Sequence, residues 1–94
     1  MYAVVRTFSG PGAKGLFDLL ENRKSEVDTA MRSVPGLVSY TLLRSGDGGV
    51  SVTVCQDKKG TDASMQVARE WVQQHLSGFG WPPIVEEGVV VVHI

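Results

Sequence analysis

Leu37-Val-Ser-Tyr-Thr-Leu-Leu-Arg-Ser-Gly-Asp-Gly-Gly-Val-Ser-Val-Thr-Val-Cys-Gln56 is two β-rich runs around a Gly/Asp/Ser cluster, the pattern of a hairpin. Placing Arg44 opposite Val50 brings Leu42 to Val52 and Tyr40 to Val54. In that register Val38, Tyr40, Leu42, Val50, Val52 and Val54 share one oily face. Ser39, Thr41, Leu43, Ser51, Thr53 and Cys55 then share a neutral, mildly polar one. A two-residue Asp47-Gly48 loop shifts the pairing by one and scrambles both faces, so the spacing predicts a longer, glycine-bulged loop.

Upstream, Met1–Phe8 alternates Tyr2, Val4, Arg6 and Phe8 against Ala3, Val5 and Thr7, which predicts a strand. Ser9-Gly10-Pro11-Gly12 breaks it. From about Ala13 to Ser33 the period becomes helical, with Leu16, Leu20, Val27, Met31 and Val34 near one stripe, until Pro35-Gly36 stops it. Downstream, Thr61 or Asp62 is a plausible N-cap for a second helix, which carries Met65, Ala68, Val72 and Leu76 on one face to about Ser77. Phe79–Pro83 reads as an aromatic, proline-containing connector. Glu86-Glu87 reads as a solvated strand entrance, and Gly88–Ile94 as the fourth strand.

The expected order is β-α-β-β-α-β over a single domain spanning 1–94: an α+β, ferredoxin-like plan. Right-handed crossovers place two helices on one face of a four-stranded antiparallel sheet. The other face lacks the charges that normally make a sheet comfortable in water. A second copy packing sheet against sheet covers it, so the pattern predicts a homodimer.

Composition narrows the functional classes. Of 94 residues, 43% are hydrophobic and 20% charged, as in a globular chain, and 94 is enough for one modest core. A net charge of −1 supplies no electrostatic reason for a nucleic-acid or anionic-membrane partner. Cys55 is the only cysteine, so no internal disulfide forms, which suits a cytoplasmic address. No signal peptide is legible at the N-terminus, and no apolar run reaches the ~20 residues that a bilayer requires.

Several residues invite a chemical reading. Gly10-Pro11-Gly12-Ala13-Lys14-Gly15 satisfies G-x-G-x-x-G, yet no acidic residue follows about 20 positions on, and the next strand opens an antiparallel hairpin. The glycines read better as turn and helix-entry chemistry. Trp71 and His75 are one helical turn apart and flank the apolar stripe, where they can border a helix–sheet pocket. His75 is the best catalytic candidate, as general base or donor to a phenolic substrate, against a plain role packed on the tryptophan. His75→Ala is expected to spare the dimer while changing ligand binding or turnover.

Arg6 and Arg44 lie in apolar strands, where a buried arginine needs an acidic partner or an anionic ligand. Arg44 is close to the turn, so Arg6 is the better pocket candidate, with Tyr40 on the helix side as core or pocket wall. Cys55 is expected on the dimer face as a small buried hydrophobe. His75, His93 and Glu86-Glu87 show no metal-ligand spacing. An RNA-recognition module shares the element order, but Gly49–Gln56 has neither the aromatic nor the basic residues it needs.

Val34-Pro35-Gly36-Leu37-Val38-Ser39-Tyr40-Thr41-Leu42-Leu43-Arg44 resembles the Pro-Gly turn, aromatic and closing Arg of the dimeric α/β-barrel superfamily, which includes the antibiotic-biosynthesis-monooxygenase-like proteins. Arg6 and His75-Leu76-Ser77 look similar too. The resemblance implies sheet-to-sheet dimers closing an α/β barrel, and in some members oxidation of aromatic polyketides or quinols without metal or flavin; others degrade haem. Val54-Cys55-Gln56 departs from the enzymes, which often carry a tryptophan there. Two readings follow. One is a cofactor-independent oxygenase acting on a small aromatic or quinone-like compound, with Arg6, Tyr40, Trp71 and His75 around the pocket. The alternative is a non-catalytic, ACT-like ligand-binding or sensing module using the Ser9–Ala13 turn.

Overall fold

In the computed structural model, residues 1–76 and 83–94 are described. Seven elements follow in order: β1 (Tyr2–Phe8), α1 (Ala13–Asn22), α2 (Lys24–Arg32), β2 (Leu37–Ser45), β3 (Gly48–Cys55), α3 (Lys58–His75) and β4 (Ile84–Val89). The strands form one antiparallel sheet in the order β2-β3-β1-β4, and the helices pack on one side of it: a ferredoxin-like fold. The expected single first helix is two. After Leu20 the next positions of its stripe are Arg23 and Lys24, so an unbroken helix would aim charge at the sheet. The chain breaks at Arg23, and α2 restarts with Val27 and Met31 facing inward.

The hairpin register differs from the expected one. Ser45 pairs with Gly48, which leaves the two-residue turn Gly46-Asp47 in place of a bulged loop. Gly46 has φ +60 and Asp47 has no positive φ, the pattern of a type II′ turn, whose twist matches that of the strands. Arg44 therefore faces Gly49, Leu42 faces Ser51 and Tyr40 faces Thr53, with a bulge between Leu37 and Ser39. The consequence is an exchange of faces on β3. Ser51, Thr53 and Cys55 go under the helices with Tyr40 and Leu42, while Val50, Val52 and Val54 join Leu43 and Thr41 on the open side. Cys55, expected on the dimer face, is instead fully buried against Met31 and Val34. At the turn end, Gly49 leaves room for the ring of Phe17, which a Cβ there would strike.

Two boundaries also move. α3 starts earlier than expected, because Asp57 is its N-cap and its Oδ1 accepts the Gly60 N–H at 3.1 Å. β4 occupies Ile84–Val89, not Gly88–Ile94. It pairs with β1, placing Glu86 opposite Val5 and Glu87 opposite Val4, so the glutamates are strand residues rather than an entrance. The ladder stops where β1 runs out, at Val90 N–H to Met1 O (3.0 Å). The valines beyond it, 72–93% exposed, lie outside the sheet. The connector expected at Phe79–Pro83 falls, up to Pro82, outside the described residues. Among the described residues no helix is long and apolar enough to cross a membrane.

Candidate functional site

One row of the sheet, Leu42–Ser51–Arg6–Val85, runs across all four strands on the helix side. It floors a cavity of ≈ 570 Å³ between sheet and helices, within the size range of small-molecule sites. The walls are apolar: Leu16 and Leu20 from α1, Val27 and Met31 from α2, Met65 and Trp71 from α3. Helical period 3.6 places all of these but Trp71 on the stripe that packs toward the sheet, and Trp71 on its flank.

Arg6 is the one buried charge among the described lining residues. It is 8% exposed, its Nε has no hydrogen-bond partner, and none of the ion pairs among the described residues involves it. Its guanidinium carbon lies 5.6 Å from the centroid of the Phe8 ring, a modest compensation. Burial lowers its pKa from the usual guanidinium value; Arg69 pushes the same way and Tyr40 opposes. Arginine stays protonated at neutral pH regardless, so the cavity floor holds a cation. Burial pushes the Tyr40 phenol up, with the Arg6 charge pulling against it. Beside Arg6, the Oγ of Ser51 is buried and unpaired, as is Oγ1 of Thr53 in the next row.

Of the four pocket candidates expected from the sequence, Arg6, Tyr40, Trp71 and His75, the first three line the cavity together. His75 does not. Its Nδ1–H donates to the Trp71 carbonyl at 2.8 Å, its ring stacks on the indole at 4.1 Å, and Nε2 lies 3.9 Å from Glu26 Oε1. The histidine buttresses Trp71 from behind and ties α3 to α2. Arg44 is accounted for differently: its guanidinium meets Asp18 and Glu21, each at 2.9 Å, and clips β2 to α1. The Gly10–Gly15 stretch makes a turn into α1, with Ala13 N–H to Gly10 O at 3.2 Å, and contributes no side chain to the cavity.

Two lining residues escaped the sequence reading. Arg69 lies four residues after Met65 and three before Val72, on the apolar stripe of α3, and that misplaced cation was a legible signal. Ser51 was hidden by the register. The described lining contains no carboxylate and no imidazole. Among the described residues no three His, Cys, Asp or Glu side chains gather as a metal site would need.

No protein-family model matches the sequence, and no curated protein is significantly similar to it. Solved structures do match. A Nitrosomonas europaea protein of unknown function superposes with TM-score 0.70 at 16% identity, over 99% of this chain and 90% of that one. The ActVA-Orf6 monooxygenase of Streptomyces coelicolor, in complex with nanaomycin D, gives 0.63 at 26% identity, over 99% and 89%. SnoaB, a cofactor-independent oxygenase from Streptomyces nogalater, gives 0.59 at 21% identity, over 99% and 93%. A haem-degrading protein and a dimeric ferredoxin-like protein share the architecture as well. By fold, the chain is similar to these ferredoxin-like proteins, cofactor-independent oxygenases and haem-degrading proteins among them.

Proposed function

We propose that residues 1–94 form one cytoplasmic domain that binds a small aromatic or quinone-like molecule in the helix–sheet cavity and promotes its oxidation by dioxygen. The observation that carries the reading is the buried Arg6 cation on the floor of an apolar cavity, its Nε–H and its charge both without a partner among the described residues. Burial alone raises the pKa of a phenol here, as it does for Tyr40; a substrate hydroxyl in direct hydrogen-bond contact with the Arg6 guanidinium gains a phenolate stabilisation that Tyr40 lacks and that offsets the burial. The phenolate is the electron-rich form that dioxygen attacks. One phenol ring and one dioxygen give one quinone and one water, so the substrate supplies all the electrons. Trp71 and Tyr40 provide ring surface and a polar edge to orient the substrate. His75 acts on this scheme as a positioning residue behind Trp71.

The same proposal includes a homodimer closed through the open sheet face, giving an α/β barrel. That face is more apolar than the sequence register implied. Its rows read Ser39–Val54–Ala3–Gly88, Thr41–Val52–Val5–Glu86 and Leu43–Val50–Thr7–Ile84, with Glu86 as the single charge. Leu43 is 44% and Ile84 66% exposed. A surface of this kind is normally covered.

A non-catalytic binder is the second reading, favoured by the absence of a general base in the described lining. Its ligand belongs in the same cavity, because nothing points a ligand to the Ser9–Ala13 turn. Oxygen uptake with hydroxynaphthalene substrates separates the two. Uptake above the buffer rate, lost in Arg6→Met, supports the oxygenase; binding without uptake establishes the binder. Under either reading contact with Arg6 pulls the pKa of a bound naphthol down by about 1–3 units against the rise caused by burial, so the naphtholate absorbance band does not move to the higher pH that an uncharged apolar pocket would impose.

A further inference from the structure

Arg69 looks into the cavity from the helix layer, opposite the floor that holds Arg6. Arg69 is itself exposed, at the solvent rim of the cavity, and its charge is still felt at the buried Arg6, where it disfavours the protonated form. No carboxylate offsets either of them. Asp62 and Glu70, which border a shallow hollow beside Arg69, are engaged elsewhere: Asp62 accepts from Lys58 at 3.0 Å and Glu70 from Gln66 at 3.2 Å. On the floor, Ser51 lies directly across the ladder from Arg6 with its buried hydroxyl unpaired. One buried cation on the floor and one solvated cation at the rim therefore bracket an apolar volume, and a ligand with a negative group at each end meets a positive partner at each.

Building on the aromatic-site reading above, we infer that the ligand is a hydroxy-aromatic carboxylic acid. Its ring fills the apolar walls, its ionisable hydroxyl meets Arg6 and Ser51 on the floor, and its carboxylate meets Arg69 at the rim. Such a ligand brings two negative centres to two positive ones. Arg69 then selects which aromatic compounds enter, while Arg6 acts on the hydroxyl that ionises. The planar fork of an arginine suits a carboxylate, which it grips with two parallel hydrogen bonds.

Titration calorimetry with three naphthalene probes tests the inference: 6-hydroxy-2-naphthoate, 2-naphthol and 2-naphthoate. The dual-function probe is expected to bind about tenfold more tightly than 2-naphthol, the contribution of one partly screened charge-assisted contact. Arg69→Gln should abolish that advantage by weakening the acid about tenfold more than it changes 2-naphthol, and Arg69→Lys should restore part of it. Equal affinity of the wild-type protein for the acid and for 2-naphthol overturns the inference and leaves the aromatic site standing. So does an advantage that survives in Arg69→Gln. Failure of all three probes to bind instead removes the aromatic reading itself.

Discussion

Arg6 burdens the folded state, since a cation held at 8% exposure without a carboxylate costs stability that no described contact repays. Methionine has similar length and no charge. Arg6→Met is therefore expected to be neutral or to stabilise the fold by up to about 2 kcal/mol in urea unfolding, while ligand binding is lost. A loss of more than about 1 kcal/mol would show that Arg6 serves the core instead. Arg6, Tyr40 and Trp71 were legible in the sequence because alternation and helical period each assign a face, and every one of them keeps that face here. The histidine was not. Spacing puts His75 within reach of Trp71, but it cannot say that the imidazole turns back to the Trp71 carbonyl instead of onward to the cavity.

Among the elements, the hairpin shows what a pattern can and cannot decide. Both of its strands alternate, so the existence and length of the ladder were readable, but the register hung on which residues formed the turn. One step of slip sends Ser51, Thr53 and Cys55 to the opposite side of the sheet. Gly49 holds the observed register against α1, because the Phe17 ring occupies the space of a side chain there. Gly49→Ala is expected to cost about 1–3 kcal/mol in chemical denaturation, as overpacking of a tight core does.

The clip between α1 and β2 adds a pH signature. Hydrogen bonds from Lys14 and then Arg44 hold the Asp18 carboxyl below the usual carboxylate range. Its stabilising contribution is present above the ordinary carboxylate value and is lost as the pH falls through the lower folded value. The stability gap between wild type and Arg44→Ala, clear at neutral pH, should thus close as the pH falls below the ordinary carboxylate range in an acid-dependent denaturation series. At the chain's other end, the valine run misled. Val89–Val92 has every mark of a strand by composition, yet a ladder needs a neighbour, and β1 provides none past Met1.

On the scale of the molecule, the exchanged face sharpens the case for self-association. Three hydroxyl or thiol groups predicted outside are buried, and three valines predicted inside lie on the side of the sheet away from the helices, with Val50 and Val52 partly exposed and Val54 at 6%. Leu43→Arg puts a charge on the edge strand of that surface, at its turn end, and touches nothing in the cavity. The variant is expected to run as a folded monomer by light scattering, with its far-ultraviolet dichroism unchanged. A dimer that survives the substitution would place the interface elsewhere.

The position of β1 has a kinetic meaning as well. It is the second strand in from the β4 edge, and both of its ladders are long-range: Tyr2 meets Cys55 on one side and Val89 on the other. The β2–β3 pair closes over two residues and can zip within roughly 1–10 μs. β1 and β4 must instead bring together nearly the whole length of the chain, and loop-closure entropy makes that step late. Changes in the hairpin turn should then act mainly on the folding rate, and changes in β4 mainly on the unfolding rate. The floor of the cavity, which needs Arg6 and Val85 side by side, is among the last parts of the protein to exist.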